Sequence, residues 1–361
     1  MDPDSTTREQ VRRAEKRASV RFGLLLWGLV IAVVVSAFAA CLFGRIDIPV
    51  MDVMRALLSG LGWPGDQAVD ETRKVVVFDI RFSRVLLSML VGLCLAVAGA
   101  VFQGILRNPL ADPFTIGVST GAAFGASLAI FFGLGAQPFL GFGLLPAAAL
   151  GGALAALFAV IALGRIDGHL RRDTMILAGI VVATFLSALI SLLKSLDEES
   201  VASIVFWVMG SFQGRGWTHT LFALPYAAAG LVLIGLHARE LDILAMGDLQ
   251  AVQVGVDLER VRLVLLVGAS LLTAAAVSVS GVIGFVGLIV PHLVRMTVGA
   301  EHHRLLPLAG LLGAIALLWS DVLARTLLPG GEELPVGVVT ALMGGPFFCV
   351  LLKRHKRGTG L

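Results

Sequence analysis

Charge is scarce in this chain: 15% of its 361 residues are Asp, Glu, Lys or Arg, against about 25% in average soluble proteins. A water-facing surface of ordinary size cannot be made from so little. Cysteine is rarer still. Cys41, Cys94 and Cys349 stand far apart, each within an apolar run and without a C-x-x-C pair, which excludes a disulfide framework or a cysteine metal site and leaves packing as their role. None of Lys16, Lys74, Lys194, Lys353 and Lys356 follows a glycine, so the phosphate-cradling G-x-x-x-x-G-K-[ST] loop is missing. H-E-x-x-H does not occur, and no catalytic, cofactor or metal site is expected. The long apolar runs are almost free of the carboxylates that carry protons or sodium through transporters. Uphill movement by this chain would have to draw its energy from a partner.

What is present is apolar. Hydrophobic residues make up 57% and glycines number 42, with a mean hydropathy of +0.91. Apolar runs of about 20 residues, the length that crosses a ~30 Å hydrocarbon layer, fall at 22–43, 84–106, 113–132, 142–163, 174–194, 217–236, 261–280, 282–298, 305–325 and 335–352. The expected fold is therefore an all-α polytopic membrane protein of about ten transmembrane helices. Its ten-helix body spans 22–353, between a polar tail at 1–21 and a basic tail at 354–361. Phe38-Ala39-Ala40-Cys41 loosely resembles a lipoprotein cleavage site. The run before it is too long for a signal peptide and more runs follow, so the first helix is read as uncleaved.

Glycine spacing supports the membrane reading. Gly117, Gly121 and Gly125 recur every fourth residue, as do Gly92, Ala96, Ala100 and Gly104. In water an interior glycine costs a helix about 1 kcal/mol relative to alanine, but in lipid such small-residue faces let helices approach closely. Asp112-Pro113 reads as a helix start, and Asn108-Pro109 ends the helix before it. With the N-terminus inside, inside connections collect most of the lysine and arginine, from Arg8, Arg12 and Arg13 to Lys353 and Arg354. Both termini are then cytoplasmic. The net charge of +3 reflects this topology, not nucleic-acid binding. In the outside loop at 44–82, Gly60, Gly62, Pro64 and Gly65 should break any long helix.

Three further stretches are distinctive. Residues 237–262, HARELDILAMGDLQAVQVGVDLERVR, alternate apolar and polar residues at helical spacing with breaks at Gly247 and Gly255, which predicts two short amphipathic helices, placed on lipid or on a soluble partner. SGVIGFVGLIVPHLVR at 280–295 carries Gly281, Gly284, Gly287 and Pro291, which predicts a short or broken helix covered by protein. RFSRVLLSMLVGLCLAVAGAV (81–101) and ERVRLVLLVGASLLTAAAVSVSG (259–281) echo each other weakly, in opposite directions, as in an inverted repeat. Asp321 and Arg325, one turn apart near the outer end of a span, can pair at the surface. His219 and His292 are read as hydrogen-bonding helix residues.

RNPLADPFTIGVSTGA, LDILAMGDLQAVQVGVDLERVR, SGVIGFVGLIVPHLVRMTVGAEHHRLLP and ELPVGVVTALMGGPFF, in this order, resemble the FecCD-like permease subunits of bacterial ABC importers for iron chelates, haem and vitamin B12. The resemblance implies a ten-helix subunit in the bacterial cytoplasmic (inner) membrane, paired with a second copy of itself. Two cytoplasmic ABC ATPases would drive it and an external substrate-binding protein would supply it. It further implies that Arg81, Arg84 and Arg325 receive acidic residues of the binding protein. Gly247, Asp248 and Gly255 would belong to the coupling helices that fit the ATPase. Arg172 and Asp173 fall where relatives place hydroxyl residues at a cytoplasmic gate. The first cargo expected is a ferric siderophore, with haem or cobalamin next. The contrasting reading is a passive channel or membrane scaffold without an ATPase.

Overall fold

A computed structural model of the chain describes residues 3–63, 70–135, 137–139, 142–166 and 168–358. Pro64 and Gly65, expected as breaks, lie outside them, as do residues 359–361 of the basic tail.

The fold is all-α apart from two short hairpins. Helix α1 (Pro3–Leu42) leads to α2 (Val50–Gly60), and α3 (Glu71–Lys74) runs through a π-helical stretch (Val75–Phe82) into α4 (Ser83–Leu106). Next come α5 (Val118–Phe131), the hairpin β1 (Pro138–Phe139) with β2 (Phe142–Gly143), and α6 (Leu144–Gly164). A second hairpin, β3 (Arg165–Ile166) with β4 (His169–Leu170), precedes α7 (Arg172–Leu196), α8 (Glu198–Val208) and α9 (Trp217–Leu236). The pair α10 (Ala238–Met246) and α11 (Asp248–Gln253) leads to α12 (Leu258–Ser280), α13 (Val286–Val298), α14 (His302–Thr326) and α15 (Val336–Gly358).

Among the described residues, 7 helices are long and apolar enough to cross a membrane, and Val118–Phe131, Val286–Val298 and Val336–Val350 are shorter apolar helices. These ten match the ten expected runs. Helix α4 and helix α12 form the buried centre, since 83% and 78% of their apolar windows are covered, while α1, at 17%, lies on the rim.

Small residues explain the close packing. A Cβ added at Gly99 would overlap the carbonyl of Gly287, and one at Gly92 the carbonyl of Gly313, so backbone meets backbone where α4 crosses α13 and α14. Gly121 and Gly125 face Gly152 and Ala148 of α6 in the same way. Where lipid competes equally for every apolar side chain, such backbone proximity adds dispersion contacts that larger residues would prevent. Gly117 departs from the expected pattern. It is not inside the helix but precedes it at φ +82°, a left-handed turn that a Cβ would disfavour. Asp112 accordingly caps the turn before α5, accepting from Phe114 N at 3.0 Å and Thr115 N at 3.1 Å.

Several elements were not foreseen: α2, the two hairpins, α8 and the π-helical stretch. Helix α8 is eleven residues long, too short to register as a membrane run, and it packs back against α7 and α5. The π-helical stretch precedes α4 and carries Phe78 and Phe82, which meet Trp217 of α9, Phe78 tilted and Phe82 edge-on, with ring centroids 5.2 and 5.9 Å away. The break expected near Gly281–Gly287 is present. Gly281 has φ +72° and Phe285 φ +69°, and α13 continues through Pro291. The freed backbone finds partners inside the bundle: Ser211 N donates to Ser280 O at 2.8 Å, and Gly337 N to Gly210 O at 3.4 Å. The ends of α8, α12, α13 and α15 therefore meet at one place within the protein, the condition under which broken helices survive in lipid.

Candidate functional site

The expected site residues fall at opposite ends of the bundle, one end marked by α2 and the other by α10 and α11.

At the α2 end, sequence places Arg81, Arg84 and Arg325 together, and the fold does bring them together. It also occupies all three. Arg84 grips Asp321 from two nitrogens, Nη2 to Oδ1 at 2.8 Å and Nε to Oδ2 at 3.0 Å, while its Nη1 reaches Glu333 Oε2 at 2.8 Å. Asp321 is 0% exposed. The surface pair expected between Asp321 and Arg325 is thus corrected: the carboxylate is buried, its main partner is Arg84, and Arg325 Nε stands 3.9 Å away. Arg325 donates instead to the carbonyl of Ala40 at 2.9 Å. Arg81, 4% exposed, donates to the carbonyls of Cys41 at 2.9 Å and of Ile46, closing the C-terminal end of α1. The arginines that face solvent here are Arg45, Arg55 and Arg73, each flanked by an acid, Glu333 or Asp52.

At the α10 end, two glycines frame α11. Gly247 at φ +148° begins it and Gly255 at φ +85° follows it, which produces the two amphipathic helices expected between 237 and 262. Asp248, the first residue of α11, reaches Arg172 Nη2 at 2.7 Å and Arg262 Nη2 at 3.2 Å. Asp248 of the expected coupling set and Arg172 of the expected gate are therefore members of one ion-paired unit, with Arg262, joining α11, α7 and α12. Arg262, which sequence reasoning passed over, is the buried member and also donates to the carbonyl of Leu170. Its only signal was its place, one helical turn inside α12. Asp173 is exposed beside Arg172, with no ion pair among the described residues. Burial pushes the Asp248 carboxyl up, but the hydrogen bond from Arg172 and the attraction of Arg262 outweigh it and hold it below the ordinary carboxylate value.

Three other contacts fix this end. His302 donates through Nδ1 to Asp242 Oδ1 at 2.7 Å, and its backbone N donates to the same oxygen at 2.7 Å, which ties α14 to α10. Arg295 Nη1 donates to Gln103 Oε1 at 2.8 Å, joining α13 to α4. Glu259 of α12 meets His169 of the second hairpin at 3.3 Å. Beyond this polar base, Met246, Leu249, Val252 and Val254 project outward, Leu249 at 79% exposure. A rigid polar foundation under an exposed apolar tip is suited to docking a protein, since an isolated surface helix turn keeps such residues in water only at a cost. Among the described residues no group of three His, Cys, Asp or Glu could hold a metal ion.

Comparison with known proteins agrees with this architecture. A model of the FecCD transport family matches residues 29–354. The chain is 42% identical over 307 residues to a cobalamin import system permease of Halobacterium salinarum, covering 81% of this chain and 80% of that one. It is 38% identical over 340 residues to a molybdate import system permease of Haemophilus influenzae, covering 92% and 96%. Among solved structures it is similar to an inward-facing conformation of an ABC transporter of the metal-chelate type, with a TM-score of 0.78, 35% identity and coverage of 92% of this chain and 99% of that one.

Proposed function

The chain belongs to the FecCD transport family, the permeases of ABC importers, and on that premise we propose that it passes a ferric siderophore or a related chelate through a bacterial cytoplasmic membrane. Haem and cobalamin are the next choices, and the molybdate permease among its relatives widens the class. The working unit would be two copies of this chain, two cytoplasmic ABC ATPases and an external binding protein, with both termini of the chain cytoplasmic.

The observation that carries this reading is the α11 unit. Asp248 binds at once to the start of α7, through Arg172, and to α12, through Arg262. A force on the exposed tip at Met246, Leu249 and Val252 therefore reaches two long helices without passing through flexible loop. Helix α12 ends at the broken backbone that adjoins α8, α13 and α15, so its displacement moves the middle of the bundle. ATP binding and hydrolysis in the partner would drive α11, and Arg172 with Asp173 would move as the inner gate. Smooth glycine contacts let helices slide where interlocked side chains would resist.

At the opposite end, Arg81, Arg84 and Arg325 are proposed to shape the surface that the binding protein meets. An incoming carboxylate would compete with Glu333 for Arg84 Nη1, and exposed Arg45, Arg55 and Arg73 would make the first contacts. The exposed apolar residues of α7 and α15, among them Leu177, Val181, Phe185, Leu342 and Met343, supply a face for a second copy.

The test is copurification and coupled transport. Detergent extracts should retain an ABC ATPase on this chain, and vesicles holding the assembly should accumulate chelate only with ATP and binding protein. Accumulation by the purified chain alone would overturn the proposal in favour of a passive channel.

A further inference from the structure

Serine and threonine hydroxyls in these apolar helices mostly turn back on their own backbone. Ser127, Thr273 and Ser320 each donate to the carbonyl four residues earlier, at 2.7 to 2.9 Å. One cluster departs from this in part: Ser191 there donates to the Ser187 carbonyl at 3.0 Å, but Ser119 makes no such bond. Between α5, α7 and α8 lies a cavity of about 440 Å³, with Ser119, Thr120, Ser187, Ser191 and Lys194 on one side and the apolar flank of α8 on the other. Ser119 is 1% exposed and, among the described residues, its hydroxyl has no hydrogen-bond partner. Its position explains this: it is the second residue of α5, where no helical carbonyl lies four residues back, and Gly117 before it provides no side-chain cap. The first turn of α5 thus offers the cavity an uncapped helix N-terminus together with an unspent hydroxyl.

Lys194 is the cavity's one titratable lining group, and no carboxylate joins it there. The nearest acid in sequence, Asp197, accepts instead from Glu199 N at 3.1 Å and from the Ser200 hydroxyl. Lys194 lies in the last turn of α7, at the end of the span, where a cation ordinarily finds a counter-charge or water. Here an ammonium, an open helix N-terminus and hydroxyl donors converge on a space too small for a bulky chelate yet ample for one of its polar arms. Apolar walls around such a group favour a ligand oxygen that carries full negative charge over a neutral carbonyl, because the charge-assisted hydrogen bond is the stronger.

We infer that this cavity is an oxyanion subsite, in which Lys194 and the hydroxyls of Ser119, Thr120 and Ser187 receive a negatively charged oxygen group of the cargo as it passes. The inference rests on the importer reading and deepens it, since it assigns the cargo to the anionic, oxygen-rich class. The oxygen can belong to a carboxylate on an organic chelate or to a free inorganic oxyanion.

Equilibrium binding to the full chain in nanodiscs, with its ATPase bound, tests the site with three probes: radiolabelled ferric citrate, molybdate, and an uncharged ferric trihydroxamate. Retention of ferric citrate assigns the group to a carboxylate, and retention of molybdate to an inorganic oxyanion. Lys194→Met should weaken that binding about tenfold, the loss of one charge-assisted contact, with an unchanged melting temperature, while Lys194→Arg should restore most of it. Retention of neither anion, equal retention of the uncharged chelate, or an unaltered affinity in Lys194→Met would each overturn the inference. Copurification of the ATPase, read on the same samples, separates the two levels: its absence counts against the importer reading, whereas its presence with an indifferent Lys194 removes the oxyanion subsite alone.

Discussion

At the α2 end Arg84 closes on an Asp321 that solvent does not touch, whereas at the α10 end Asp248 holds two arginines with 42% of its side chain exposed. Both are arginine–aspartate unions between helices distant in sequence. A buried pair stores the cost of its own desolvation, so removing one partner strands a charge in a poor dielectric. A half-exposed pair loses little when opened, because water replaces the partner. The first is therefore a permanent clamp, and the second, on the proposed reading, a joint that an outside force can load and release.

The clamp should break hardest. Asp321→Ala leaves the Arg84 and Arg325 guanidinium groups without their shared carboxylate, and we expect a loss of about 3–5 kcal/mol, read as a fall in melting temperature of the detergent-purified chain. Asp321→Ala together with Arg84→Met should recover part of it. A single variant as stable as the parent would refute the contrast between the two ends.

The contrast was only half legible in the sequence. Apolar length and small-residue spacing located the ten helices and the central break, because those properties are local and the lipid imposes them. Gly247 and Gly255 announced the α10–α11 turn for the same reason. Helix α8 stayed hidden because GSF-flanked EESVASIVFWV is too short for a span and too apolar for a loop. The arginines were found by resemblance, but nothing in one sequence reveals that Arg84 meets a carboxylate 237 positions away, or that Arg172 and Arg262 share Asp248. Charge pairing across the bundle is a property of the packed helices, which is also why the Lys194 cavity could not be foreseen.

The next effect lies in the frame of the joint. Gly255→Ala places a Cβ at φ +85°, a left-handed conformation costing an L-residue about 1–2 kcal/mol. The expected result is a modest fall in melting temperature with a larger fall in ATP-driven transport, since α11 would be held at the wrong angle. Equal transport in parent and variant would show that the turn tolerates distortion and that the joint is not rigid.

Smaller still is the joint itself. Asp248→Asn should cost less than the clamp, on the order of 1 kcal/mol, because the carboxylate is half-exposed although Arg262 beneath it is buried, yet uncouple ATP hydrolysis from transport. The sign of the pH effect follows from the depressed carboxyl. Its contribution is complete above the ordinary carboxylate value, unchanged across neutral pH, and lost only as pH falls below about 4. Melting curves of parent and Asp248→Asn should thus run parallel from neutral pH downward and converge in that acidic range. Divergence between pH 6 and 8 would mean that another group governs the α10 end.

The smallest expected change in stability is at the tip, and it sharpens the comparison most. Leu249 is exposed and touches little of its own chain, so Leu249→Ser should leave the melting temperature where it was or raise it slightly, because an apolar side chain is removed from water. Its contacts in the assembly would then lie outside this chain, with the ATPase on the proposed reading. Retention of the ATPase through a detergent wash should fall sharply in Leu249→Ser and in Val252→Ser, while the buried clamp around Asp321 remains intact as judged by an unaltered unfolding profile. A variant that keeps its ATPase fully would move the docking surface away from α11, and Asp248 would then be one more structural pair, differing from Asp321 only in its exposure to water.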